Sequence, residues 1–245
     1  MGLAELTRAQ ETILWSKAAG MCSKCKSILI KKGREEFYKK GENAHIEGKE
    51  PKAARYNSNQ TDEERASYLN HILLCADCHT DIDKDPKSYP NERLLEIKHE
   101  HESWISQQLS IESNNLTFAE LEVIHKFLIP NSVHTSGKTL EVITPEQKIV
   151  KNNISNTIAK YITIGMLQYG LVKKYINENP DVNFGDRLRE GFVNQYSDLA
   201  KLYEGDELFN ELWDFASGYS SEFSIKAAGL SVLTYFFQIC DVFES

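Results

Sequence analysis

The sequence predicts an α+β N-terminal domain organised around paired cysteines, followed by an all-α helical-bundle domain. Three observations predict it. Two C-x-x-C pairs, Cys22/Cys25 and Cys75/Cys78, enclose a 49-residue loop. Within that loop, short segments rich in aliphatic and β-branched residues read as strands. From residue 145 onward nearly every segment reads as helix, interrupted at Pro180, Gly205 and Gly218.

The elements follow in order. Thr7 caps a helix running to about Ala19, and Gly20 ends it just before the first cysteine pair. Ser27–Lys31 and Asn43–Ile46 read as the strands of a hairpin that ends at His45. Residues 47–60 read as a loop, Thr61–Tyr68 as a short helix, and Asp77–Asp83 as a helix starting at the second cysteine pair. Asn91 then caps a helix to about Leu109. The polar stretch IESNN at 111–115 is the first candidate boundary, and PNSVHTSGKT at 130–139 the second. The expected organisation is 1–112, a linker with a connecting helix over 113–144, and 145–245. Thr117 with Glu120 and Thr144-Pro145 with Gln147 form capping boxes. Helices are expected over 145–178, 185–204, 206–218 and 222–242.

Composition narrows the class. The 245 residues are 41% hydrophobic and 26% charged, an ordinary globular balance that excludes disorder as the main state. No stretch approaches the ~18 apolar residues of a membrane span, and MGLAELTRAQETILW lacks an apolar signal core. The expectation is a protein without membrane segments in the cytoplasm. There, reduced cysteines in this pattern point to a metal, and four thiolates on two turns suit tetrahedral zinc. The net charge of −8 is uneven. Residues 1–60 hold 12 basic against 7 acidic residues, 61–110 hold 5 against 11, and 111–245 hold 11 against 18. A basic front can grip phosphates even in an acidic chain.

The zinc loop carries further chemistry. His45 stands in Asn-Ala-His-Ile, Asn70 in Leu-Asn-His-Ile-Leu-Leu-Cys, His79 directly after Cys78, and Asp83 four residues later. Read together, C-x-x-C, Ala-His-Ile and Asn-x-x-x-x-Cys-x-x-Cys-His-x-x-x-Asp resemble the HNH endonuclease family in its zinc-bearing form, over residues 10–108. The resemblance implies a ββα-metal fold with a treble-clef-like zinc site. It implies that His45 is the general base activating water, and that Asn70 orients its imidazole. His79 and Asp83 are then ligands of a catalytic divalent cation, Mg2+, Mn2+ or Ni2+, for hydrolysis of a DNA phosphodiester to 5′-phosphate and 3′-hydroxyl ends. The sequence departs from the pattern at Ala44, where many relatives carry a metal-holding Asp or His; Asp81 is a candidate replacement.

Lys39, Lys40, Lys52 and Arg55 are the candidate phosphate contacts, with Arg55 singled out because Ala-Ala-Arg-Tyr is similar to the Pro-Arg-Tyr of related domains. No helix is rich in base-reading Arg, Asn or Gln, so double-stranded DNA is expected to be cut with little sequence specificity. His71, His99 and His101 read as bystanders, the last two on a solvated helix face. In the second half, Ala227-Ala228, Val232-Leu233, Tyr235-Phe236-Phe237, Cys240-Asp241 and Phe243-Glu244 resemble the C-terminal domains of nuclease effectors in bacterial ABC-type three-component antiviral defence systems. That resemblance implies docking on an SMC-like or ABC-type ATPase, or self-association into a homo-oligomer; Tyr235, Phe236, Phe237 and Phe243 read most simply as bundle core, with some of them available for an apolar patch against the partner. The competing expectation, resting on Ala44, is a zinc-organised, non-catalytic nucleic-acid-binding or scaffold protein.

Overall fold

The computed structural model describes residues 5–32, 37–129, 143–239 and 243. The chain is α+β and mostly helical, and it divides into two compact units, Met1–Ser106 and Gln107–Ser245.

In the first unit, α1 (Arg8–Lys17) begins where the Thr7 hydroxyl accepts the Gln10 N–H at 3.3 Å, and it buries Leu14 and Trp15. Gly20 then reverses the chain at φ +64; a Cβ there would stand 2.7 Å from the Ile30 side chain.

The strand pairing differs from the expected hairpin. β1 (Ile30–Lys32) pairs antiparallel with β2 (Phe37–Lys39). The strand ending at His45, β3 (Glu42–His45), pairs antiparallel with β4 (His71–Leu74), placing His45 opposite His71 and Glu42 opposite Leu74. Every residue of β4 is buried, so it lacks the polar alternation that marks a half-exposed strand. Between β3 and β4 lie α2 (Asp62–Arg65) and a 3-10 turn (Tyr68–Asn70). β4 leads through Cys75 into α3 (Ala76–Lys84), followed by α4 (Asn91–Asn114). The core gathers Leu14, Trp15, Leu29, Ile72, Leu73, Leu74, Ile82 and Leu94.

Two local expectations change. Residues 111–114 of the first boundary stretch are helical, inside α4; the second stretch, 130–139, lies outside the described residues. His101 is fully buried rather than solvated, because Leu94, Ile97, Lys98, His101 and Ile105 share one face of α4 at helical spacing. His99 is exposed as expected.

The second unit is all helical among its described residues. α5 (Phe118–Leu128) and α6 (Pro145–Lys151) start at the Thr117/Glu120 and Thr144/Gln147 capping boxes. The single helix expected over 145–178 is three: α6, α7 (Asn156–Met166) and α8 (Tyr169–Asn177). Asn153, at φ +52, turns the chain between the first two. α9 (Phe184–Leu199), α10 (Gly205–Ala216) and α11 (Phe223–Ile239) complete it.

Residues 226–237 of α11 are all buried, against α5, α7, α8 and α10, as befits a helix apolar on every side. The core expected of these aromatics includes all four, Tyr235, Phe236, Phe237 and Phe243, so none is left for an apolar patch. The ring of Phe243 stands 5.2 Å from that of Phe237. Among the described residues no helix is long and apolar enough to cross a membrane.

Candidate functional site

The four predicted cysteines come together. The first pair sits on a turn closed by the Lys26 N–H to the Cys22 carbonyl and the Cys22 N–H to the Ser27 carbonyl, both 2.9 Å, with Lys26 at φ +64. The Ser23 N–H ties this turn to β4 through the Leu73 carbonyl at 2.8 Å. The second pair opens α3, where Cys75 Sγ caps the helix by accepting the Cys78 N–H at 3.4 Å. All four sulfurs lie within 4.8 Å of one another, and Cys25 Sγ is 3.8 Å from Cys75 Sγ.

That spacing fits a tetrahedral zinc with Zn–S bonds of ~2.3 Å, so the cluster can bind a metal such as zinc. The thiols differ among themselves. Burial pushes Cys22 and Cys78 up. At Cys25 burial opposes ionisation, but hydrogen bonds from the Ser27 hydroxyl and N–H outweigh it and bring the thiol down to about 6. A bound dication would favour the thiolate form at all four.

The His101 imidazole clasps the first turn from α4. Its Nε2–H donates to the Ala18 carbonyl at 3.1 Å, leaving Nδ1 to accept from Lys26 Nζ at 2.6 Å. This contact was missed in the sequence, although the helical spacing of Leu94, Ile97, Lys98 and His101 carries its signal.

His45 ends β3 with its ring 4.2 Å from that of His71 across the strand pair. The Asn70 amide acts one peptide further on. Its Oδ1 accepts the Glu47 N–H at 2.9 Å, and its Nδ2 donates to the Glu47 carbonyl at 3.1 Å and the Arg65 carbonyl at 3.3 Å. Asn70 thus fixes the backbone that carries His45 out of the strand.

His71 Nδ1–H donates to the Ser67 carbonyl at 2.8 Å, and burial pushes this imidazole down to about 4. The folded chain keeps His71 neutral while an unfolded chain protonates it near pH 6.5. Stability is therefore expected to fall as the pH drops from about 6.5 to about 4, by up to about 3 kcal/mol from this group. Denaturant titrations across that range check it: His71→Gln, which can keep the bond to Ser67, is expected to lose that slope, and an unchanged slope would contradict it.

His79 is held on both ring nitrogens. Nδ1 faces the Glu42 carboxylate and Nε2 lies 3.2 Å from Asp83 Oδ2. Glu42 was not anticipated; on the sequence it is one of many exposed carboxylates, and only the β3–β4 pairing beside α3 gives it this place. The other Asp83 oxygen accepts from Arg55 at 2.6 Å, and Arg55 donates to the Ile46 carbonyl at 2.8 Å and the Ile82 carbonyl at 3.1 Å. The Arg55 side chain, 5% exposed, spends its guanidinium joining the loop after β3 to α3.

Asp81 is exposed and pairs with Lys24 at 3.6 Å. Lys40 and Lys52 are exposed, and Lys39 lies over the Trp15 ring with its ammonium 3.7 Å from Glu11. Among the described residues, the cysteine cluster alone brings three or more potential ligand atoms all within 4.8 Å of one another.

No protein-family model and no curated protein matches this chain.

Proposed function

We propose that the first unit is a metal-dependent endonuclease of the HNH type that hydrolyses DNA phosphodiesters. The observation that carries the reading is the run β3–β4–α3, anchored on the four cysteines, which bears His45, Asn70, His79 and Asp83 in one small unit. In this reading His45 takes the proton from the water that attacks phosphorus, while the bond to the 3′-oxygen breaks and that oxygen leaves with a proton taken from solvent water. Asn70 holds the Glu47 peptide and so fixes where His45 stands. His79 and Asp83 would hold the divalent cation, which when bound supplies charge stabilisation at the phosphate. Glu42 on Nδ1 would orient the ring, as carboxylates commonly do for metal-binding histidines.

A second reading, a zinc-organised binding or scaffold protein, is favoured by the engagement of both His79 nitrogens and of Asp83 within the chain. Cleavage of plasmid DNA by the zinc-loaded chain with added Mg2+, Mn2+ or Ni2+ separates the two. The nuclease reading expects cuts spread over many sequences; the scaffold reading expects none.

The second unit we read as the regulatory module that docks on an ATPase. Its acidic balance suits a protein partner better than DNA. With the aromatic run in the core, docking falls to other apolar side chains of this unit, such as the exposed Val150, Val182 and Leu202. Co-purification of the full chain with an ABC-type ATPase encoded beside it tests this.

A further inference from the structure

The β1–β2 ribbon has two unlike faces. Cross-strand partners share a face, and the pairing sets Ile30 opposite Lys39 and Lys31 opposite Tyr38. The first pair turns inward: the Ile30 side chain packs at Gly20, and Lys39 lies over the Trp15 ring beside Glu11. The second pair faces solvent, with Tyr38 53% exposed, Lys31 exposed opposite it and Lys40 exposed two residues on. Residues 30–40 hold five basic against two acidic residues, a local surplus in a chain of net charge −8.

The ribbon runs directly into the strand that carries His45. The Lys40 N–H donates to the Leu29 carbonyl at 2.8 Å, and a Cβ at Gly41 would stand 2.8 Å from Leu29 and 2.9 Å from Trp15, so the joint to β3 is tightly packed. Tyr38 stands four positions before Glu42, which touches His79, and that length of chain reaches at most ~14 Å.

We infer that the outer face of this ribbon is a stacking platform for a nucleic-acid strand, on which the Tyr38 ring takes an unpaired base and Lys31 and Lys40 take flanking phosphates. The lysines call for an anion, and the exposed ring beside them narrows its kind. An acidic peptide would satisfy the lysines and leave the ring in water, whereas a strand brings a base for the ring with every phosphate. A duplex hides its base faces, and the described ribbon residues, 30–32 and 37–40, include no Arg, Asn or Gln to read base edges from a groove. The inference deepens the nuclease reading and rests on it for its meaning. The stacked base would lie only a few nucleotides from the phosphate that His45 and His79 address, so the preferred substrate is DNA with unpaired bases beside the cut.

The test measures binding by the full, zinc-loaded chain with no other divalent cation added, so that binding is read apart from cleavage. The probes are a short fluorescent oligothymidylate, its abasic counterpart with the same phosphates, and a blunt duplex, followed by anisotropy. The oligothymidylate is expected to bind about fivefold or more tightly than the abasic strand. Tyr38→Ala should remove that advantage and Tyr38→Phe should keep it, while neither changes binding of the abasic strand or the duplex. Lys31→Ala and Lys40→Ala should weaken both single strands alike, each lowering the log–log salt slope by about 0.7. Because the two strands are compared on the parent chain, the claim is decided even where a ribbon variant fails to fold. Equal affinity for the two strands, a base advantage that survives Tyr38→Ala, or a duplex weakened by Tyr38→Ala as much as the strand overturns the inference. A base advantage carried by Tyr38 in a chain that never cuts DNA refutes the nuclease reading and leaves the platform standing; cleavage without that advantage does the reverse.

Discussion

Stripping the metal from the folded chain is expected to unfold the first unit at room temperature. Two of the four sulfurs come from a turn and two from the start of α3, so one ion bound to all four would close 49 residues of chain and hold the turn beside β4. Metal ligation at such a site contributes on the order of 10 kcal/mol, comparable with the whole stability of a small domain. Without the ion, burial holds Cys22 and Cys78 as thiols while Cys25 ionises more readily, so the four thiolates that tetrahedral ligation needs do not form together. Elemental analysis should find one zinc per chain. Circular dichroism during chelation should show loss of structure, and Cys22→Ser or Cys75→Ser should reproduce it. Well under one zinc in folded protein, or an unfolding midpoint indifferent to chelation, would contradict the assignment.

The second large effect is expected at His45. On the nuclease reading, His45→Ala removes the proposed base from the end of β3 and leaves the cysteine cluster untouched, so zinc content and unfolding midpoint should stay near those of the parent chain. Cleavage should fall by about 10²–10⁴-fold, the range for loss of a positioned general base. His79→Ala should also abolish cleavage, but by a separable route. Binding of Mn2+ to the zinc-loaded chain, followed by its paramagnetic signal, should survive His45→Ala and be lost in His79→Ala. A His45→Ala chain that cuts at nearly the parent rate would assign the base elsewhere.

What could be read from the sequence was local. The Thr7 cap, both capping boxes, the helix starting at Cys75 and the cysteine cluster are each specified by residues a few positions apart, or by a metal pattern with few alternatives. What was not legible depends on distant pairing. β4 is buried throughout and its partner lies 26 residues earlier in the register of His45 and His71, so neither alternation nor a tight turn announces it. Glu42 and Glu47 look like any solvated carboxylates until β3–β4 and the following loop place them against His79 and the paired amides of Asn57 and Asn91. Charge was also misleading in Lys98-His99-Glu100-His101-Glu102, where Lys98 and His101 turn inward. Lys98 Nζ donates to the Tyr68 carbonyl at 2.6 Å, and burial pushes its ammonium down to about 8. At Arg55 a residue suited to phosphate is occupied within the chain, joining Ile46, Ile82 and Asp83.

The most direct test of the central claim is a plasmid-cleavage measurement on the zinc-loaded full chain, with Mg2+, Mn2+ and Ni2+ supplied in turn and the product ends analysed. The nuclease account predicts nicked and linear DNA in at least one cation, ends carrying 5′-phosphate and 3′-hydroxyl that ligase reseals, and loss of these products on His45→Ala. Folded, zinc-loaded protein that leaves the plasmid intact in all three cations, alone and with any ABC-type ATPase encoded beside it, would contradict it.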